Sequence, residues 1–258
     1  MKLRTRASGV AVALVAAFSS ATAFAQAKLT VAGYGGSFEE MMRKEIMPAF
    51  EKKTGAKLEY VAGNSTDNIA RMQAQRGNME VDVAIVDDGP MFQAVALGLC
   101  SELKGVNFAE LYPVADMKTG KSVTIGVVAT GLMYNTKYFA DNKMPAPTSW
   151  NDLKDPKYRK KLVIPPMNNT YGLQTVIMMA RLHGGGEKNI DPGFKVMRES
   201  VAPNVLTFEA QPGKMTELFQ SGQAIFAVWG SGRVKAFQDT GFPAEFVYPK
   251  EGAMALGI

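Results

Sequence analysis

The feature that most constrains this chain is a strand that runs through three glycines straight into a helix. Leu29 and Val31, with Ala32, read as a short buried strand, which Gly33, Gly35 and Gly36 cut off around Tyr34. Ser37 with Glu40 three residues on has the form of a capping box, so a helix is expected to open just after the glycines. Phe38, Met42, Ile46 and Phe50 recur every four residues as its expected inner face, with Pro48 as a kink or break and Gly55 as its end. Such a turn aims backbone N–H groups at the strand's C-terminal edge, where α/β sheets collect ligands. Two readings share these residues: an ordinary turn in which Tyr34 covers core, and a solute contact in which Tyr34 offers a stacking or cation–π surface. The spacing is neither the GxGxxG fingerprint nor a P-loop, because no Gly-Lys-Ser/Thr follows.

The alternation continues. Lys57–Val61 reads as a strand, Asn64-Ser65-Thr66 opens a helix carrying Ile69 and Met72, and Val81, Val83, Ile85 and Val86 form a third strand. Pro90 is expected at the first helical position of the next helix. A β-α-β-α-β-α order argues for a mostly parallel sheet. Asp87 and Asp88 leave the third strand at the same edge as Tyr34. Each suits either a helix cap or a counter-ion for an amine.

Composition removes several classes of function. Lys2, Arg4 and Arg6 precede an apolar run from Gly9 to Phe18, and Ala23-Phe24-Ala25 supplies a small-x-small cleavage site. Residues 1–25 therefore read as a secretory signal peptide, with the exported chain beginning at Gln26 and no cysteine there for lipid attachment. Cleavage takes three of the 29 basic residues and none of the 24 acidic ones, leaving 26 against 24, a net charge of +2. So balanced a chain gives no case for nucleic acid. A single cysteine, Cys100, permits no internal disulfide, and a single histidine, His183, beside Gly184-Gly185-Gly186, suits a helix C-terminus. His-rich zinc sites are out of reach, and no nucleophile, base and orienting group form a catalytic set. No cofactor or metal is expected.

From Leu103 to Ser122 the pattern loosens, and strand–helix pairs then resume: Val123–Thr130, Leu162–Ile164 before Asn168-Asn169-Thr170, and Ala224–Trp229 into Gly230-Ser231-Gly232. Two α/β lobes are the reading, with the break in the loose stretch. Trp150 reads as a surface-packing anchor.

The chain resembles the periplasmic solute-binding proteins of bacterial ABC transporters, in the spermidine/putrescine-type branch. The resemblance rests on Gly33-Tyr34-Gly35-Gly36-Ser37, on Tyr134-Asn135-Thr136, and on Pro147-Thr148-Ser149-Trp150-Asn151-Asp152-Leu153 with Asp155-Pro156-Lys157-Tyr158. Val228-Trp229-Gly230 and Tyr248-Pro249-Lys250-Glu251-Gly252 follow in the family's order. It implies a type II periplasmic-binding-protein fold, α/β, with a ligand cleft between two lobes joined by crossing strands. The expected division is 26–122 for the first lobe and 123–252 for the second. Residues 253–258 would begin the return to the first lobe, with the family's C-terminal region absent. The implied function is capture of a small polar solute for an inner-membrane permease with its ATPase, by a monomer in the periplasm. On this footing Tyr34 stacks on the solute, Gly35, Gly36 and Ser37 supply backbone donors, and Asp87 or Asp88 meets an amine. Thr130, Asn169, Thr170 and Ser231 offer neutral hydrogen bonds, and Trp229 with Gly230 forms a second wall facing Tyr34. Where polyamine binders place carboxylates on the second lobe, this chain has Met167, Asn168, Asn169 and Thr170. That favours a monoamine or zwitterion over a long diamine. The alternatives are a ferric-ion carrier, for which Tyr34, Tyr134, Tyr171 and Tyr248 read as too scattered, and an enzyme on a similar two-lobed fold.

Overall fold

The computed structural model describes residues 27–258; the expected signal peptide lies outside the described residues. The chain opens with β1 (Lys28–Gly33), α1 (Ser37–Met41), a π-helical turn (Met42–Ile46), α2 (Met47–Thr54) and β2 (Lys57–Ala62). It continues with α3 (Ser65–Ala74), β3 (Val83–Ala84) and α4 (Asp88–Ala96). The sheet is parallel in the order β2-β1-β3, with Val31 facing Tyr60 on one side and Val83 on the other. Successive residues of β1 serve opposite layers, as a strand's period of two requires. Val31 packs with Met42, Met47 and Tyr60, while Ala32 packs with Ile69, Met72, Val86 and Met91.

The first helix differs from the four-residue pattern. Its N-cap is Gly36, at φ 67°, with no side-chain cap bond, so the expected Ser37–Glu40 capping box does not form. Pro48 does not end the helix. It has no N–H to donate, and its ring crowds the carbonyl four residues back. The widened π turn immediately before it absorbs that conflict. The wider turn also changes which residues face inward. Met42 and Met47, five apart, are buried, while Ile46 and Phe50 are 50% and 41% exposed. Pro90 sits inside α4 rather than at its first position, and Asp87 takes the N-cap.

The second sheet is built around β4 (Val127–Asn135), followed by α5 (Thr136–Asp141), β5 (Leu162–Ile164), α6 (Thr170–Leu182) and α7 (Asp191–Val196). Then come β6 (Val205–Phe208), α8 (Pro212–Gln220), β7 (Phe226–Gly230), α9 (Ser231–Asp239), β8 (Ala244–Val247) and β9 (Met254–Gly257). The order is β6-β5-β7-β4-β8, with β9 also on β4. The far half of β4 lies between β7 and β8, whereas Val127–Ala129 pair with β9 alone and Thr130 pairs with both Met254 of β9 and Gly230 of β7. An antiparallel β4–β9 ribbon thus leaves the second sheet, and the Gly257 N–H reaches the Asp88 carboxylate of the first lobe at 3.2 Å. These are crossing strands of a two-lobed fold.

Trp150 is an internal residue, fully buried with Leu153 and Tyr158 against Phe226 and Leu162. Its indole N–H donates to Gly252 O at 2.8 Å, and its backbone N–H donates to Glu251 Oε2 at 3.2 Å. Ser149 Oγ donates to Glu251 Oε1 at 2.5 Å and also accepts from Asn151 N, in a capping box with Asp152. Two sequence motifs a hundred residues apart therefore grip each other. Glu251→Ala removes both carboxylate contacts and is expected to cost about 1.5–3 kcal/mol, measured as a lower midpoint in urea. An unchanged midpoint would show that the grip contributes nothing.

Candidate functional site

Tyr34 follows β1 at the strand's C-terminal edge. Gly33 is required there, since an added Cβ would sit 2.5 Å from the Tyr60 hydroxyl. That hydroxyl donates to Tyr34 O at 2.7 Å and fixes the backbone of the turn. From this position the Tyr34 hydroxyl donates to Asp87 Oδ1 at 2.5 Å. Asp87 occupies the N-cap position of α4, yet its carboxylate makes no cap bond. Its own N–H is held by Ser65 Oγ at 3.0 Å, which leaves the side chain free to face outward from the first lobe. The second carboxylate oxygen, Oδ2, accepts from Thr170 Oγ1 of the opposite lobe. Asp88 does the capping instead: Oδ1 accepts from Gly89 N at 2.8 Å, and Oδ2 takes the Gly257 N–H of β9.

Three further contacts join the lobes. Thr66 Oγ1 donates to Asn168 O at 2.9 Å. Arg233 Nη1 donates to Gly35 O at 2.9 Å and reaches Ser37 Oγ at 3.4 Å. Gly36 approaches α8 so closely that an added Cβ would lie 3.0 Å from Pro212 Cβ. One turn along α6 from Thr170, buried Gln174 bridges both crossing strands. Its Oε1 accepts from Thr130 of β4, and its Nε2 donates to Ala255 O of β9 at 3.1 Å.

Between the lobes lies a cavity of about 410 Å³ that carries Asp87, Tyr34, Tyr171 and Arg233 on its wall. Burial first, then the Asp87 charge, pushes the Tyr34 phenol far above its ordinary value. Burial likewise raises Tyr171 to about 12, with the Arg233 charge opposing and the Asp87 charge reinforcing. Both phenols are therefore neutral donors, on a wall with one carboxylate and one guanidinium. A larger cavity of about 510 Å³ opens among core residues of the first lobe such as Met72, Val86 and Cys100.

The expected site residues separate into two groups. Tyr34, Ser37, Asp87 and Thr170 meet at the cleft, and Gly35 contributes its carbonyl, not its N–H, to Arg233. Others serve structure. Thr130 is fully buried on Gln174, Asn169 caps α6 through Tyr171 N at 3.0 Å, and Ser231 Oγ accepts from Ala129 N at 3.2 Å. Trp229 does not face Tyr34. Alternation along β7 sends it with Ala227 into the α8–α9 layer, where it packs edge-on behind Tyr171 at 5.5 Å. Tyr171 takes the wall position, and Gly230 is the residue that makes room, since its added Cβ would meet the Tyr171 hydroxyl at 2.2 Å. Arg233 was the residue missed. Its signal was present: a cation in the first turn of a helix opposes the helix dipole and calls for another reason to be there. The tyrosines are less scattered than their spacing suggests, for Tyr34 and Tyr171 share the cavity. Among the described residues no three of His, Cys, Asp and Glu gather as a metal site.

Residues 45–258 match the family of bacterial extracellular solute-binding proteins. A putative 2-aminoethylphosphonate-binding periplasmic protein of Salmonella typhimurium is 29% identical over 223 residues, 85% of this chain and 62% of the relative. The chain thus spans under two thirds of the length of the curated relatives it matches. Among solved structures, the periplasmic binding protein AfuA of Actinobacillus pleuropneumoniae, with fructose-6-phosphate bound, has a TM-score of 0.73. It is 22% identical, over 90% of this chain and 72% of its own. A putative spermidine/putrescine ABC transporter protein of Listeria monocytogenes gives 0.71 at 19% identity, over 89% and 70% of the two chains. At these identities the likeness is one of fold.

Tyr34→Phe leaves a nearly buried carboxylate short of one donor and is expected to lower stability by about 1.5–3 kcal/mol. Chemical denaturation checks this, and a wild-type midpoint would mean the Tyr34–Asp87 contact carries no weight.

Proposed function

This chain belongs to the family of bacterial extracellular solute-binding proteins, and on that footing we propose that it captures a small zwitterion. The solute pairs a primary ammonium with a phosphonate or similar oxyanion, in the periplasm, for delivery to an inner-membrane ABC permease and its ATPase. The observation that carries this reading is the pair of opposite charges, Asp87 and Arg233, on one cavity wall. An ionised carboxylate has about four lone-pair sites. Tyr34 and Thr170 use one on each oxygen, so the remainder suit the N–H groups of an ammonium. Arg233 spends Nη1 on Gly35 O and keeps other N–H donors for a forked bond to an oxyanion. Ser37 and the N-terminal turn of α9 at Gly232 support negative charge beside it. The charges fit 2-aminoethylphosphonate, named for the Salmonella relative, and suit a polyamine poorly because a second ammonium would meet Arg233. Binding by charge and shape, with both phenols held neutral, accounts for these groups without a chemical step.

Calorimetric titration with 2-aminoethylphosphonate tests the reading. The wild-type chain is expected to bind it and to ignore putrescine. Arg233→Met and Asp87→Asn should each weaken binding by about 2–5 kcal/mol, the cost of leaving one buried charge unpaired, while both variants still melt cooperatively. Putrescine bound in preference, or full affinity in both variants, would overturn the assignment.

A further inference from the structure

The cavity changes character along its length. At the N-terminal ends of α1 and α9 its wall is polar, with Ser37, Gly232 and Arg233. One turn further along each helix it becomes apolar, with Met41 four residues after Ser37 and Ala236 three after Arg233. Phe38 joins this apolar side, its ring edge-on to Tyr34 at 5.3 Å, and Val128 of β4 adds to it. The end at Asp87 is different. Asp87 is only 7% exposed and is wrapped by Tyr34, Thr170 and Ser65, so an ammonium there has no room for substituents. At about 410 Å³ the cavity also falls in the ~300–1,000 Å³ range that encloses drug-sized organic molecules. A compact zwitterion spanning Asp87 and Arg233 leaves the apolar stretch empty, and that stretch begins where the anion sits.

We propose that the solute is substituted at its anionic end: a primary amine whose phosphonate is a monoester, or whose phosphate is a diester, with an apolar group lying against Met41, Phe38 and Ala236. This rests on the zwitterion reading above and names a narrower class within it. Esterification keeps one negative charge for Arg233, since a monoester of a phosphonic acid remains an anion. It replaces one oxygen's charge with a carbon chain directed along α1 and α9. Met41, 42% exposed at the rim, is an unbranched, polarisable side chain suited to pack against chains of varied shape.

The test is a calorimetric series on the purified chain with 2-aminoethylphosphonate and its mono-O-methyl, ethyl, propyl and butyl esters. Each buried methylene is expected to tighten binding roughly fourfold. Met41→Gln should shrink the butyl-to-methyl affinity ratio several-fold, because a polar side chain then lines the path. N-methylation of the same ligands should abolish binding at Asp87. If the parent zwitterion binds and the esters bind more weakly or with no gain per methylene, this inference fails and the zwitterion reading stands. If neither parent nor esters bind, both fail. Tighter binding of the esters whose gain is unchanged in Met41→Gln would also overturn it, since the chain would then lie elsewhere.

Discussion

Everything at the cleft turns on one carboxylate taken almost out of water. Burying an unpaired charge costs several kcal/mol or more, and Asp87 escapes that cost through hydroxyl donors from both lobes. The first-lobe donor is rigid because the Tyr60 hydroxyl pins the Tyr34 backbone and Gly33 lets it approach. The second-lobe donor is placed by the Asn169 cap at the start of α6. Neighbouring Asp88 takes over capping and the bond to Gly257, so the two adjacent carboxylates divide the labour. One charge is bound into structure, and the other stays available on the cavity wall.

The residues that resemble a known family most closely are mostly not at this site. Ser149 and Trp150 meet Glu251 and Gly252 in a part-buried hydrogen-bonded grip at the core of the second lobe, and Asp152 holds the Ser149 backbone N–H behind it. The function of that sequence signature is to close the chain on itself shortly before β9 begins. A strand that must cross between lobes needs a fixed point of departure, and the grip at Gly252 supplies it two residues before Met254. Such motifs identify a fold and leave the solute unspecified.

The elements were largely legible because strands with period two and glycine-bounded helices carry their own signals. The division into two α/β lobes was legible in the loosened stretch from Leu103 to Ser122, while the crossing strands and the cleft came with the resemblance. What the pattern could not show was the π turn. Pro48 was visible as a conflict, but whether a helix ends or widens depends on packing around it, and Met42 and Met47 follow the wider turn. At the cleft, Tyr34 and Asp87 were readable from their place at strand ends. Trp229 was misplaced because size suggested a wall where strand parity dictates the opposite layer. Arg233 was passed over because it sits in an unremarkable helical pattern. Its role depends on Gly35, 198 residues earlier, a proximity that only the closed fold creates.

Gln174 carries a consequence of its own. A carboxamide has a donor end and an acceptor end, and here each faces a different crossing strand. The Thr130 hydroxyl can turn to donate or to accept, but the Ala255 carbonyl can only accept, so β9 dictates which way the amide points. A slip of β9 by one residue against β4 would present the other face of every residue and turn that carbonyl away. Helix α6, which holds Thr170 and Tyr171 at the cleft, is thus keyed to a single alignment of the two strands. The molecule checks the register of its own hinge with one side chain.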